Sequence, residues 1–434
     1  MRSILKANSP DILQQLAAFE QDTAAREKIS QVVRTIISEV REKGDKALIE
    51  MTGRFDKAQI SSGTIRVSDA ELDEGLASLS SDDIGNIHKA KAQVEFFHRI
   101  TKPDNWSFTN GHGAEVGERF YPIGSVGIYI PGGRVPLVSS VIMSVSLAKL
   151  AGNPRIVVCT PPLPDGSLSA GMRAALRICG VNEVYRVGGA QAIAAMAYGT
   201  DSIARVDKVF GPGNAYVLEA KRQVFGDVGV DLLPGPSEVA ILTDVTCNPA
   251  WVAADLLAQA EHGTGKERIF LLAENDSTIA SIMDEVNRQL PSLTARERIE
   301  PIMESRCICI TYEQREEAIR AINHIAPEHM ELHVAEDSIA FYSDHITTAG
   351  AILQGHHTPT VLGDFTAGPS HTLPTGGAGR FLSGLRLTDF LRRTSVVRYK
   401  PEHLEAAAPI VRTFSRLEQL DAHGRSLEIR LDKP

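Results

Sequence analysis

Cysteine is scarce in these 434 residues, five in all, too few to make a disulfide scaffold of so long a chain. Cys307 and Cys309 alternate within Arg-Cys-Ile-Cys-Ile-Thr-Tyr and Cys159 closes another apolar run, so the cysteines read as reduced core residues. Positive charge is in deficit as well. Lys and Arg number 45 against 54 Asp and Glu, a net charge of −9, and no basic block overrides that balance; nucleic acid and anionic membrane are therefore not expected partners. No apolar run approaches a membrane span, and the opening Met-Arg-Ser-Ile-Leu-Lys-Ala-Asn-Ser-Pro lacks an apolar core of signal-peptide length. The expectation is a cytoplasmic protein. Solenoid repeats, low-complexity runs, the G-x-G-x-x-G dinucleotide fingerprint and the H-E-x-x-H zinc motif are all missing.

What is there is ordinary in bulk, 43% apolar and 23% charged, with length for roughly three domains. One stretch stands out. Residues 248–263 read Asn-Pro-Ala-Trp-Val-Ala-Ala-Asp-Leu-Leu-Ala-Gln-Ala-Glu-His-Gly, a helix that Asn248 caps, Pro249 starts and Gly263 closes. Val252, Leu256, Leu257 and several alanines leave it little polar surface, so it is expected to be enclosed on most sides. Gln259 and His262, three apart, then point from one face of the last turn, with Asp255 a turn behind. An amide oxygen and an imidazole can meet one cation there. A capping His262, with Gln259 serving a neighbouring loop, fits the same residues.

In chain order, residues 1–25 are polar with scattered leucines, and an amphipathic helix follows over 25–43, with further helical segments to Arg99. From about residue 115 the texture changes to strand, glycine turn and helix. Strands at 126–130, 155–159, 183–187 and 208–210 lead into Pro131-Gly-Gly-Arg134, Gly188-Gly189 and Gly211-Pro-Gly-Asn214 and into helices at 137–151, 190–198 and 215–225, the pattern of a parallel α/β sheet. Such turns let backbone approach a pyrophosphate, or merely connect sheet to helix tightly. A second α/β region opens at Val239 and runs through strands at 268–272 and around Cys309. The helical lead-in before 115 is expected to pack on this second region, making 126–236 an insertion, and the charged residues from 384 onward are expected to be helical.

Three more stretches carry polar groups beyond what packing needs. Ala326-Pro-Glu-His329 sets a carboxylate beside an imidazole, a pair suited to moving protons near neutral pH; Pro401-Glu-His403 repeats the tripeptide at what reads as an exposed helix start. Residues 362–380 form a long glycine-rich loop with Asp364 and His371 embedded, and loops of that length usually line a site. Glu418 and His423 in the tail read, by themselves, as a solvated face.

Taken together, Gly127-Ile-Tyr-Ile-Pro-Gly-Gly133, Val187-Gly-Gly-Ala-Gln-Ala192, Phe210-Gly-Pro-Gly-Asn214, Gly235-Pro-Ser-Glu238, Ala258-Gln-Ala-Glu-His262, Ala326-Pro-Glu-His329 and the run from Leu362 through His371-Thr-Leu-Pro374 resemble the histidinol dehydrogenase family, in the family's order and from about residue 25 to the carboxyl terminus. The resemblance implies an α/β protein of two Rossmann-like domains, each an incomplete doubly wound sheet, with a helical N-terminal segment and a C-terminal dimerisation tail. Its parts would be an arm, 1–25; a discontinuous first domain, 26–125 and 237–383, with the metal and acid–base residues; an inserted domain on the NAD side, 126–236; and the tail, 384–434. It implies a zinc- and NAD-dependent enzyme oxidising L-histidinol through L-histidinal to L-histidine, the last step of histidine biosynthesis. One zinc per subunit would be held by Gln259, His262, Asp364 and His423. Glu328 and His329 would be the acid–base pair, and Ser237, His329 and Glu418 would join the metal ligands in binding substrate. Tyr129, Gln191 and Asn214 would line the NAD site, and a homodimer would bring His423 and Glu418 into the partner's site.

Two positions depart from the family pattern, Ser370 where Asn is expected and Phe365 where Tyr is frequent; neither is an implied ligand. A related zinc and NAD enzyme acting on another polar alcohol, such as a sulfonated diol, is the alternative, and Glu418 disfavours it because a carboxylate repels a sulfonate. Zinc-assisted hydrolysis with Glu328 as base would leave the glycine turns without a cofactor to serve. A structural zinc staple predicts a closed metal site and no turnover.

Overall fold

The computed structural model describes residues 4–18, 23–132, 136–262 and 265–431. The side chains of residue 18 and of 23–26 are not described. Its strands, in chain order, are β1 (Leu5–Lys6), β2 (Trp106–Thr109), β3 (Glu115–Pro122), β4 (Ser125–Tyr129), β5 (Arg155–Cys159), β6 (Glu183–Tyr185), β7 (Lys208–Phe210), β8 (Gly229–Val230), β9 (Glu238–Thr243), β10 (Arg268–Ala273), β11 (Cys307–Thr311), β12 (His329–His333), β13 (Ala351–Gln354) and β14 (Leu391–Arg398). Two of the three sheets are wholly parallel. One runs β6-β5-β4-β7-β8 and the other β1-β11-β10-β9-β12-β13. Strands buried on both faces read as largely apolar runs, as β9 and β10 do; β12 is buried at every position too, although it alternates polar and apolar residues.

Helices cover both faces of each parallel sheet, the doubly wound α/β arrangement expected from the sequence. On the six-stranded sheet, Val252 and Leu256 of helix Pro249–Ala260 pack with Ile279 and Ile282 on one side. Ile12, Leu16 and Ile322 pack with Met330 and Leu332 on the other. The capped helix of the opening stretch forms as read. Asn248 accepts a hydrogen bond from the Ala250 N–H at 3.0 Å, with Pro249 in the first turn. It ends earlier than expected, at Ala260 with Glu261 as its cap, so His262 lies in the turn beyond and not on the last helical turn. The closing role given to Gly263, and the Gly133 and Arg134 positions of the Pro131–Arg134 turn, fall outside the described residues.

The lead-in helices do not pack where the sequence reading put them. Val33, Ile36 and Val40 of helix Thr23–Lys43 and Leu48 of helix Asp45–Phe55 meet Ile193 and Val217 on one face of the five-stranded sheet. Leu72 of helix Asp69–Ala77 and Val94 of helix Ser81–Ile100 meet Val145 and Leu176 on its other face. The reason lies in helix Gly189–Tyr198, which is buried from Ala190 to Ala197 without a break. A helix apolar all round needs cover on its outer side as well as its sheet side, and the lead-in supplies it.

A strand also interrupts the supposedly helical tail. β14 pairs antiparallel with β3, from Leu391 opposite Pro122 to Arg398 opposite Glu115, and β2 completes this third sheet. Leu-Arg-Arg-Thr-Ser-Val-Val-Arg is largely exposed and dense in charge, so it shows no apolar alternation to read as a strand. Helices Pro401–Leu417 and Asp421–Leu431 follow and pack on one another.

Candidate active site and metal centre

The site is built where the amino ends of β9 and β12 meet. Helix Arg315–Ile325 ends at Ala326, whose left-handed φ of 48° turns the chain into Pro327. A non-glycine residue held there costs about 1 kcal/mol or more, and the turn delivers Glu328 and His329 into the interior. Gly350 and Ala351 donate their N–H groups to the Pro327 and Glu328 carbonyls, at 2.9 Å each, and hold the segment in place.

Glu328 and His329 are buried. The Glu328 carboxylate accepts the Glu238 N–H at 2.9 Å, and its oxygen lies 3.8 Å from His329 Nδ1. His329 Nδ1 is 3.3 Å from the Glu238 carbonyl, and its Nε2 is 3.6 Å from Asp364. Burial pushes the Glu328 carboxyl up to about 8, against the opposing pull of His329 and the Glu238 N–H. For His329 burial works against the charge, yet Glu328 and Asp364 outweigh it and lift the ring to about 9. These are two groups sharing protons in the range where an enzyme works.

Asp364 comes from the short helix Thr360–Phe365 in the glycine-rich stretch. Burial would raise its carboxyl; the surrounding His329, His371 and His262 hold it below the usual value instead. His371 turns back on the same loop, Nδ1 3.1 Å from the Asp364 carbonyl and Nε2 3.3 Å from Ser140 Oγ. Lost hydration holds His371 and His262 low, with Asp364 acting in the opposite sense on both. His262 reaches the surface at the rim while its ring lies close enough to feel Asp364 and His329. Gln259 is buried, and its amide nitrogen has no partner. An unpaired buried amide is costly, and its nitrogen and oxygen are interchangeable by a flip, so an oxygen with free lone pairs can face this space. Gln259, His262 and Asp364 thus fit one divalent cation as neutral amide, neutral imidazole and carboxylate, with positions left open.

The fourth implied ligand stands elsewhere in the single chain. His423, in the first turn of helix Asp421–Leu431, and Glu418, capping helix Pro401–Leu417, are exposed. Among the described residues neither makes a hydrogen bond or ion pair with Gln259, His262 or Asp364. Ser237, half-buried, lies just before β9, its carbonyl accepting the Arg268 N–H at 3.1 Å.

The residues read as cofactor-binding gather at the carboxyl ends of β4, β6 and β7. Tyr129 is buried and its hydroxyl accepts the Gly189 N–H at 3.2 Å. Gln191 is buried in the first turns of helix Gly189–Tyr198. Asn214 caps helix Ala215–Val224, accepting from the Tyr216 and Val217 N–H groups at 3.0 and 3.2 Å. Gly211 has φ 114°, and a Cβ there would lie 2.0 Å from the Tyr129 carbonyl oxygen, so only glycine fits. Paired glycine turns, helix starts and the carboxyl edge of a parallel sheet are where a dinucleotide binds. The His371–Ser140 contact brings the acid–base cluster against this edge, because Ser140 opens the helix Val138–Ala151 that follows β4.

The sequence reading left several of these groups unused. Glu238 is buried, salt-bridged to Arg268 and accepting the Gly376 N–H at 2.9 Å. It holds the backbone that orients Glu328 and His329. Its signal was a carboxylate beginning an otherwise apolar strand. Asp255, Glu331 and His333 form the one set of three His, Cys, Asp or Glu donors within 4.8 Å of one another among the described residues. Their signal was a His-x-Glu-x-His alternation on β12.

The sequence model of the histidinol dehydrogenase family matches residues 19–431. Histidinol dehydrogenase of Brucella suis is 42% identical over 434 residues, the whole of both chains. That of Geobacillus kaustophilus is 41% identical over 407 residues, 94% of this chain and 95% of its own. Among solved structures, histidinol dehydrogenase from Elizabethkingia anophelis is similar with a TM-score of 0.88 at 33% identity, over 95% of this chain and 96% of that one. An acetylating aldehyde dehydrogenase from Geobacillus thermoglucosidasius, at TM-score 0.51 and 16% identity over 90% of this chain and 97% of its own, shares the fold alone.

Proposed function

The chain belongs to the histidinol dehydrogenase family, and from that premise we propose that it oxidises L-histidinol through L-histidinal to L-histidine, the last step of histidine biosynthesis, using one zinc per subunit and two NAD molecules in turn. The observation that carries this reading is the cluster of buried Glu328 and His329 with half-buried Asp364, set against the carboxyl edge of the five-stranded sheet.

Zinc would be held by Gln259, His262 and Asp364, with His423 from a second copy, and when bound would supply a Lewis acid that anchors the substrate's imidazole and amine. His329 takes the alcohol proton at Nε2 as the carbinol carbon gives up its hydride to NAD, with Glu328 and Asp364 favouring the charged ring. Glu328, next to the aldehyde, then takes a proton from the water that adds to it. Ser237 and Glu418 help to hold the substrate between the two oxidations. The dinucleotide would lie along the turns after β6 and β7, with Tyr129 and Gln191 supporting the turn at Gly189 and Asn214 at the rim.

Exposed apolar side chains support a homodimer. Phe108 and Val397 lie on the antiparallel sheet that leads into the tail helices, and Phe414 and Leu417 on the helix that ends at Glu418; a second copy would cover them. Among the described residues no helix is long and apolar enough to cross a membrane, in keeping with a cytoplasmic biosynthetic enzyme.

The deciding experiment counts NADH formed per limiting L-histidinol by zinc-loaded protein. A ratio near two, abolished by a chelator and by His262→Ala, is expected. A ratio near one means that oxidation stops at the aldehyde. No NADH with histidinol, and turnover of a sulfonated diol instead, would assign the chain to the related alcohol oxidation.

A further inference from the structure

Behind the proposed zinc site lies a second polar layer centred on the buried Glu331 and His333. Helix Pro249–Ala260 carries Asp255 one turn before Gln259, helix Thr360–Phe365 carries Thr360 one turn before Asp364, and β12 carries Glu331 two residues after His329. Side chains four apart on a helix, or two apart on a strand, share a face. Each element therefore offers one group to the site and one to the layer behind it.

In that layer Glu331 is the hub, with 1% of its side chain exposed. One carboxylate oxygen accepts the Thr360 N–H at 2.7 Å and the Thr360 hydroxyl at 2.6 Å. The other lies 3.2 Å from His333 Nε2, which is itself 3.4 Å from the Asp255 carboxylate. The chain of contacts runs from one helix through the strand to the other helix, with Glu331 and His333 buried and Asp255 and Thr360 half-buried at its two ends. Exposed hydrogen bonds would not fix such spacing, but in a low-dielectric interior a lost partner leaves a buried charge behind.

We infer that Glu331, together with His333 and Asp255, is a positioning layer that sets helices Thr360–Phe365 and Pro249–Ala260 at the separation at which Asp364 and Gln259 can share one metal ion. The inference rests on the reading of Gln259 and Asp364 as zinc ligands. Two carboxylates around one imidazole also resemble a metal site in their own right. A proton can serve as the cation here: burial works against the charge of His333, yet Asp255 and Glu331 outweigh it and hold the ring up to about 9. Groups that orient metal ligands in this way commonly change metal affinity 10- to 100-fold when altered.

The test measures zinc affinity by competition with a chromophoric chelator and the visible bands of the cobalt(II)-loaded protein, on full-length wild type, Glu331→Gln, His333→Gln and Gln259→Ala. Near-ultraviolet circular dichroism and apo-protein melting show which variants are folded. The glutamine at 331 keeps the shape and the acceptor for Thr360 while removing the charge. Glu331→Gln is expected to bind zinc about tenfold or more weakly and to shift the cobalt bands while its dichroism stays native; His333→Gln gives the same readout if Glu331→Gln does not fold. Weakened binding in Gln259→Ala with wild-type affinity and cobalt bands in both layer variants would overturn the positioning role. Unchanged affinity in Gln259→Ala would overturn the ligand assignment and the inference with it. A second equivalent of zinc bound by wild type and lost in Glu331→Gln would make the layer a metal site, and overturn it too.

Discussion

Glu328 and His329 illustrate how much a residue's role depends on its neighbours. Pro-Glu-His occurs twice in this chain, and at 401–403 it only begins an exposed helix. At 327–329 the turn at Ala326 drives the same residues inside, against Glu238 and Asp364. Removing the Glu328 charge should therefore separate the two oxidations. Glu328→Gln is expected to slow single-turnover oxidation of histidinal by about 100-fold or more and that of histidinol much less; equal slowing would remove the water-activating role. The pH dependence of the first oxidation has a definite sign. His329 must be neutral to accept a proton, and Glu328 and Asp364 raise its pKa to about 9, so the rate should climb as pH rises from 7 toward 9. In Glu328→Gln, with one carboxylate gone, the climb should shift to lower pH, as a kcat/KM profile would show.

At the scale of elements, caps and buried runs were readable and partners were not. Asn248, Pro249 and the apolar positions that follow them foretold helix Pro249–Ala260 because each acts locally. Asn248→Ala should cost about 1 kcal/mol in urea denaturation. The amphipathic helix at Thr23–Lys43 was equally plain. Its neighbour was not, since a stripe of Val33, Ile36 and Val40 records that a face is buried and not what buries it. β14 was missed because a charged, exposed strand carries no alternation. A buried ring in helix Ser81–Ile100 gives another prediction. Both nitrogens of His98 lack partners, and burial, with help from Arg386, lowers it from 6.5 to about 4. Its folded pKa lies below its unfolded one, so its contribution is complete above about 6.5 and is lost as pH falls toward 4. His98→Leu should flatten that acid loss, by on the order of 2 kcal/mol, when urea midpoints at pH 7 and pH 5 are compared.

For the whole molecule, the parallel sheets and most residues of the site were legible because glycine turns, apolar strands and paired polar groups leave dense local marks. The layer behind the site was not, because Asp255, Glu331 and Thr360 come from three distant segments and each alone looks like a helix or strand residue with an ordinary polar neighbour. His423 and Glu418 stay exposed in one copy, so their proposed role belongs to the assembly. Chains carrying Gln259→Ala and His423→Ala are each expected to be inactive alone. Refolded together, they should recover roughly a quarter of wild-type activity by random pairing, because a crossed dimer keeps one intact site; no recovery would confine each site to one chain.

The six-stranded sheet has an edge with a long memory of synthesis. β1 pairs with β11, Leu5 opposite Ile310 and Lys6 opposite Thr311, so β1 leaves the ribosome some three hundred residues before its neighbour exists. Contacts of such separation form late and slowly, and until then β11 presents an unpaired edge to other nascent chains. The sheet that carries the proposed chemistry receives an edge strand made long before the strand it pairs with.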